Sequence, residues 1–253
     1  MRQRRVTGIE QRLAPYADLI LRPADSALVR TGNLLPNGKY VRWYQRVSEP
    51  YAIPDGFERV YAELGCGRGH FINTLAENDP DGLYIGVEGC KTIVLRAIEK
   101  TRAAGLGNLY YIDSFINDAA TAFRDESLDG VFLNFSDPWP KDRHSERRLT
   151  APAKTSGYKK VLKPGGFVSL KTDNEAFFDY SLKTFEEAGF SIKHCIRNLI
   201  IDMAVAEYFN AADKDSHTTL GDSISVLGRN TQTEYELKFR AMGKPIYYFK
   251  AEI

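Results

Sequence analysis

The chain has 253 residues, enough for one sizeable α/β domain or two small ones. Hydrophobic residues at 43% and charged residues at 26% are ordinary for a soluble globular protein, and no apolar run approaches the roughly 20 residues of a membrane helix. The net charge of +1 announces no nucleic-acid partner, although a small total can hide a locally basic face. Residues 1–58 are weakly periodic and rich in turn formers ("RPADSALVRTGNLLPNGKY", "SEPYAIPDG"), which predicts an irregular arm made basic by Arg2, Arg4 and Arg5. No apolar stretch follows that basic start, so no signal peptide is expected. Cys66, Cys90 and Cys195 are too far apart for a metal-ligand pattern and odd in number, which argues against a zinc site or a disulfide framework. A cytoplasmic compartment and no metal are expected.

The pattern changes at residue 59, where a single domain running to 253 is expected to begin. "RVYAEL" (59–64) reads as an apolar strand ending in "GCGRG", with "HFINTLAEN" continuing as a helix. "LYIGVE" (83–88) is a second strand, and "KTIVLRAIEKTRAAG" a helix capped at Gly105. "NLYYID" (108–113) is a third, followed by a short helix through Phe123. "LDGVFLNF" (128–135) runs straight into Asp137. A helix near 150–162 leads to "KPGG" and a fifth strand, "FVSLKT" (167–172). An amphipathic helix "NEAFFDYSLKTFEEAG" and a strand-like "FSIKHCIRNLIID" come next. Residues 202–230 read as a polar loop insertion. "TEYELKFRAMG" then reads as a helix with Thr233 as N-cap, Glu236 as capping-box partner and Gly243 as stop, and "IYYFKAEI" as a last strand. Strands alternating with helices of this length predict a mostly parallel sheet with helices on both faces.

In such sheets ligands gather beyond the carboxyl ends of the strands, and Glu63, Glu88, Asp113, Asp137 and Asp173 all fall there. Gly65, Gly67 and Gly69 sit between the first strand and its helix, where a tight turn lets backbone approach a ligand. Their spacing is G-x-G-x-G, not the dinucleotide G-x-G-x-x-G, and an acid precedes them. Glu63 would repel a pyrophosphate but suits ammonium and sulfonium charge. Glu88 is placed for ribose hydroxyls and Asp113 for an adenine amino group. The set fits S-adenosylmethionine better than a nicotinamide dinucleotide.

The stretch "NFSDPWPKDRHSERRLT", with "KTDN" and the "TEYELKF" helix, closely resembles the bacterial tRNA (guanine-N7-)-methyltransferase family. The resemblance covers about residues 59–201 and 231–253. It implies a Rossmann-like class I methyltransferase fold with a seven-stranded sheet. It also implies S-adenosylmethionine as cofactor, S-adenosylhomocysteine as product, and the guanine at position 46 of the tRNA variable loop as target. By motif, Glu63, Glu88, Asp113 and Asp137 match cofactor-contacting acids, and Asp137 also the proposed catalytic residue. Lys141, Asp173 and Thr233, Glu234, Tyr235 and Glu236 match substrate-contacting positions. Arg143, His144, Arg147 and Arg148 fall in the RNA-contacting segment. The long 22–58 arm and the 202–230 insertion depart from the family pattern.

Guanine N7 carries a free lone pair, so its methylation needs no base. Positioning and preorganised electrostatics suffice, and a carboxylate such as Asp137 can bind the guanine amino edge while facing developing positive charge. The basic residues would hold phosphates beside the pocket. Trp139 has two readings, stacking on a base or packing the Pro-Trp-Pro turn. Rival readings are an adenine-amino methyltransferase, whose motif places two prolines before the aromatic, and a noncatalytic RNA-binding module. A monomer and a homodimer both fit.

Overall fold

The computed structural model describes residues 8–23, 33–34, 40–41, 50–116, 118–199 and 231–253. Seven strands form one sheet: β1 (Arg59–Leu64), β2 (Gly82–Val87), β3 (Leu109–Ile112), β4 (Leu128–Asn134), β5 (Leu162–Thr172), β6 (Ser191–Ile196) and β7 (Tyr247–Glu252). Their spatial order is 3-2-1-4-5-7-6. The first five are parallel, and β7 runs antiparallel between β5 and β6.

Period-two alternation divides each strand between two cores. In β1, Val60, Ala62 and Leu64 join the cluster that contains Tyr158, Phe178 and Phe185 from α4 (Pro152–Val161) and α5 (Glu175–Glu187). Tyr61 joins the opposite cluster with Leu75 and Ile98 from α2 (His70–Asn78) and α3 (Lys91–Ala104). Glu63 shares Tyr61's parity, so the alternation that builds the core also turns a carboxylate inward at the strand's end. α3 ends on Gly105 in the left-handed region, and α5 is capped by Asn174, whose side chain accepts from the Phe177 N–H at 2.9 Å.

Three expectations change. The helix expected before Phe123 is one 3-10 turn, Ala119–Thr121, because Asp118 caps it and too few residues follow to repay helix nucleation. β5 begins at Leu162 rather than 167, since Leu162 pairs with Leu128 before the ladder shifts register to Gly130 and Phe167. The arm is not wholly irregular. It opens with α1 (Ile9–Leu13) and a 3-10 turn, Ala14–Leu19, and it buries Leu13, Leu19, Ile20 and Leu21. Leu21 N–H donates to the Tyr111 carbonyl at 2.8 Å and Tyr51 N–H to Ala122 at 2.9 Å, so the arm covers the outer side of edge strand β3. Residue 58 is therefore no boundary of packing. A two-residue ladder also pairs Asn33–Leu34 with Tyr40–Val41. The 202–230 insertion, and Arg2, Arg4 and Arg5, lie outside the described residues.

Candidate active site

A cleft of about 970 Å³ opens at the carboxyl edge of the sheet, where the strand order reverses between β1 and β4. Its floor carries the loop after β1. Gly65, Gly67 and Gly69 all take left-handed backbone, with φ of 83, 56 and 70°. A Cβ on Gly65 or Gly67 would meet nothing within 4 Å, so their backbone faces open space a ligand can fill. Gly69 differs: a Cβ there would lie 2.5 Å from that of Ala97. It is absent from the cleft wall and serves the close approach of α2 to α3, not ligand contact as expected.

Glu63 is buried, and its Oε1 accepts from Asn134 Nδ2 at 2.9 Å. Its Oε2 is buried on the cleft wall without a hydrogen-bond partner. Burial raises the carboxyl to about 8, against the pull of the Asn134 bond, the Lys171 charge and the Ile72 N–H. An orphaned acid of this kind suits a ligand that brings a cation or donor hydrogens. Glu88, at the end of β2, accepts from Cys90 N–H at 2.8 Å. Burial raises its carboxyl too; backbone N–H groups of Cys90 and Gly67 oppose the rise, and the Asp137 charge adds to it. Asp113 behaves otherwise. Its Oδ1 accepts from Arg22 at 2.7 Å, its Oδ2 faces Lys91 at 3.5 Å, and the wall beyond β3 is made by Ser114, Phe115 and Ile116 instead. The expectation that Asp113 stands open to an adenine missed Arg22, which the stretch packed on β3 through Leu21 brings to it.

β4 ends at Asn134, and the chain turns sharply. Phe135 and Trp139 both adopt positive φ, 50 and 40°, on either side of Ser136, Asp137 and Pro138. Non-glycine residues pay for that backbone, and such strain persists where surrounding contacts fix it. Stacking and hydrogen bonds both do so here. Phe135 stacks on Tyr235 at 6.2 Å between centroids, and Arg148 donates to the carbonyls of Pro138 and Trp139, both at 3.0 Å. Arg148 is itself buried, with its guanidinium 4.2 Å from the Tyr180 ring centre. Its donors hold the turn, so the phosphate contact expected of it is not available. Asp137 stands exposed on the cleft wall. Trp139 lines the cleft as well, with the Arg147 guanidinium 5.0 Å from its ring and His144 at its edge. Lys141, Arg143 and Arg147 are exposed around the 3-10 turn Asp142–Arg147, and of these only Arg147 reaches the cleft wall. His144 is half-buried and accepts from Arg143 Nε at 3.3 Å.

The far wall is helix α6 (Glu234–Ala241). Thr233 caps it, its hydroxyl accepting from Glu236 N–H at 2.9 Å. Thr233, Glu234 and Tyr235 line the cleft. Glu236 does not. It is fully buried, and its carboxylate neither returns to the cap nor lines the cleft, but pairs with Lys171 at 3.1 Å and Arg240 at 2.6 Å. Asp173 is half-buried and pairs with Lys244 at 3.3 Å, off the cleft wall. Sequence reasoning missed Lys171, Asn134, Arg22 and the Phe135–Tyr235 stack. A lysine inside the apolar "FVSLKT" was a signal, because lysine is almost never fully buried without a partner.

Among the described residues no group of three His, Cys, Asp or Glu side chains could hold a metal, and no helix is long and apolar enough to cross a membrane. The fold is that of the Rossmann-like methyltransferases. A solved 16S rRNA methyltransferase, KamB, superposes with a TM-score of 0.53 over 78% of this chain and 88% of that one, at 13% identity, a likeness of fold alone. A family model described as "Putative methyltransferase" matches residues 58–249. A tRNA (guanine-N(7)-)-methyltransferase of Brevibacillus brevis is 34% identical over 251 residues, 99% of this chain and 98% of that protein. Another from Oceanobacillus iheyensis is 32% identical over 96% of this chain and 98% of its own. The chain belongs to the tRNA (guanine-N(7)-)-methyltransferase family.

Proposed function

We propose that the cleft binds S-adenosylmethionine and that the chain methylates N7 of a guanine in tRNA, at position 46 of the variable loop. One observation carries this reading beyond family membership. A buried acid with an orphaned oxygen, Glu63, shares a single cleft with Asp137 and with Arg147 of a basic turn, so a cation site and a polyanion rim meet at the switch point.

Glu63 and the backbone of Gly65 and Gly67 would hold the charged amino-acid end of the cofactor, and Glu88 its ribose; bound there, it supplies an electrophilic methyl group. Asp137 would accept from the guanine amino edge and offset the positive charge that builds on the purine. It abstracts nothing, because N7 has no proton. Tyr235 and Trp139 offer faces for the base or its neighbours, and Lys141, Arg143 and Arg147 take phosphates. The Arg22–Asp113 pair would stand at the adenine end. A tRNA substrate implies work in the cytoplasm. Calorimetric titration with S-adenosylmethionine, followed by methyl transfer to unmodified tRNA, tests the reading. Binding without transfer would favour a noncatalytic RNA-binding module.

A further inference from the structure

Beneath the cleft runs a buried polar row of which the chemistry above uses only Glu63. Lys171, near the end of β5, has a side chain only 1% exposed. Its ammonium donates to Glu236 Oε2 at 3.1 Å and to the Thr231 carbonyl at 2.8 Å, and it lies 5.8 Å from the Phe71 ring centre. Arg240 holds the other oxygen of Glu236 at 2.6 Å. On the neighbouring strand, Asn134 is the register partner of Lys171 and donates to Glu63. Acid and base therefore alternate from the glycine loop to α6: Glu63, Lys171, Glu236, Arg240.

A buried ion pair is a poor device for stability, since apolar residues of similar size often do as well or better. What this one supplies is geometry. One ammonium grips the chain at Thr231, before α6, and at Glu236, in its first turn. The helix's depth and rotation are thereby fixed from below. Three residues between those grips face the cleft, Thr233, Glu234 and Tyr235, with Tyr235 stacked on Phe135 beside Asp137.

We propose that Lys171 is a positioning residue that sets the α6 wall against the Asp137 turn, and that Glu236 affects the reaction through Lys171, without touching substrate. The inference rests on the cleft being the methyl-transfer site. Its test separates geometry from stability. K171M should lower the melting temperature, cut kcat/KM for tRNA by about a hundredfold, the scale of an ångström's misplacement, and leave S-adenosylhomocysteine affinity within about threefold. K171M/E236M removes both fully buried partners and leaves Arg240, whose side chain is 20% exposed and can turn to solvent. It should recover the melting temperature but not kcat/KM for tRNA. Recovery of activity in step with stability would reduce Lys171 to a structural role, as would K171M activity within about threefold of wild type. Should the double variant not fold, E236Q, which keeps shape and weakens the grip, takes its place: it should cut kcat/KM for tRNA with S-adenosylhomocysteine affinity kept within about threefold, and unchanged kcat/KM there overturns the proposal. Amide exchange across residues 234–241 reads the proposal without activity: it should quicken in K171M and stay quick in the double variant, and unchanged exchange there overturns it. A wild-type chain that methylates no tRNA would instead sink the reading of the site.

Discussion

At the scale of single residues, Glu63 ties cofactor binding to pH. Burial holds the Glu63 carboxyl up at about 8, so in the free protein it keeps its proton through neutral pH. A raised acid favours the folded state while protonated, and that contribution drains away as pH climbs from the ordinary value of 4.5 towards 8. An arriving cation wants the carboxylate, so binding below that pH expels a proton. Affinity for S-adenosylmethionine should therefore rise between roughly pH 6 and 8 and then level off, and Glu63→Gln should flatten the curve. Calorimetry in buffers of different ionisation heat measures the proton directly; no proton release in wild type would contradict the assignment. The chemical step should add no such dependence, because guanine N7 has no proton to lose. Asp137→Asn keeps its shape but turns an acceptor into a donor, and Asp137→Ala removes both contacts. Each should slow single turnover by about two orders of magnitude, with cofactor binding changing less. A wild-type rate at saturating cofactor that rose tenfold per pH unit between about 6 and 8 would require a deprotonation this mechanism lacks.

At the scale of elements, the turn after β4 divides neighbouring arginines between two tasks. Arg147 faces outward at the cleft, while Arg148 bonds the backbone that places Asp137. Arg148→Ala should cost roughly 1–3 kcal/mol in urea unfolding, because two part-buried carbonyls lose a charged donor. It should also lower turnover through the turn, with the salt dependence of tRNA binding unchanged. Replacing two of Lys141, Arg143 and Arg147 should do the reverse, flattening the slope of log affinity against log salt by roughly one to two units at unaltered stability. A slope unmoved by those changes would return them to ordinary solvated surface. Charge alone could not separate Arg147 from Arg148 in the sequence. The two are adjacent and alike, and only the path of the 3-10 turn decides which points inward. The α6 cap was legible at Thr233, a local hydrogen bond, but not at Glu236, whose partner sits 65 residues away on β5.

At the scale of the molecule, the sheet was legible because its signal is periodic. β1 runs over 59–64 and α2 over the nine residues from His70, as alternation and helical spacing require. The arm was not, since its order comes from covering β3 rather than from its own pattern, and with it went Arg22 and the engagement of Asp113. The acids at strand ends could be placed in register from sequence. Which of them face the cleft depends on cations from distant segments. What the whole assembly claims is a methyl group delivered to a ring nitrogen that needs no deprotonation. The direct measurement is to incubate the chain with methyl-labelled S-adenosylmethionine and unmodified tRNA, digest to nucleosides, and identify the labelled product by mass spectrometry. The account predicts label in 7-methylguanosine, from one site in the variable loop, and its near-complete loss with Asp137→Ala. Label in an N6-methyladenosine, or none with both substrates saturating, would contradict it.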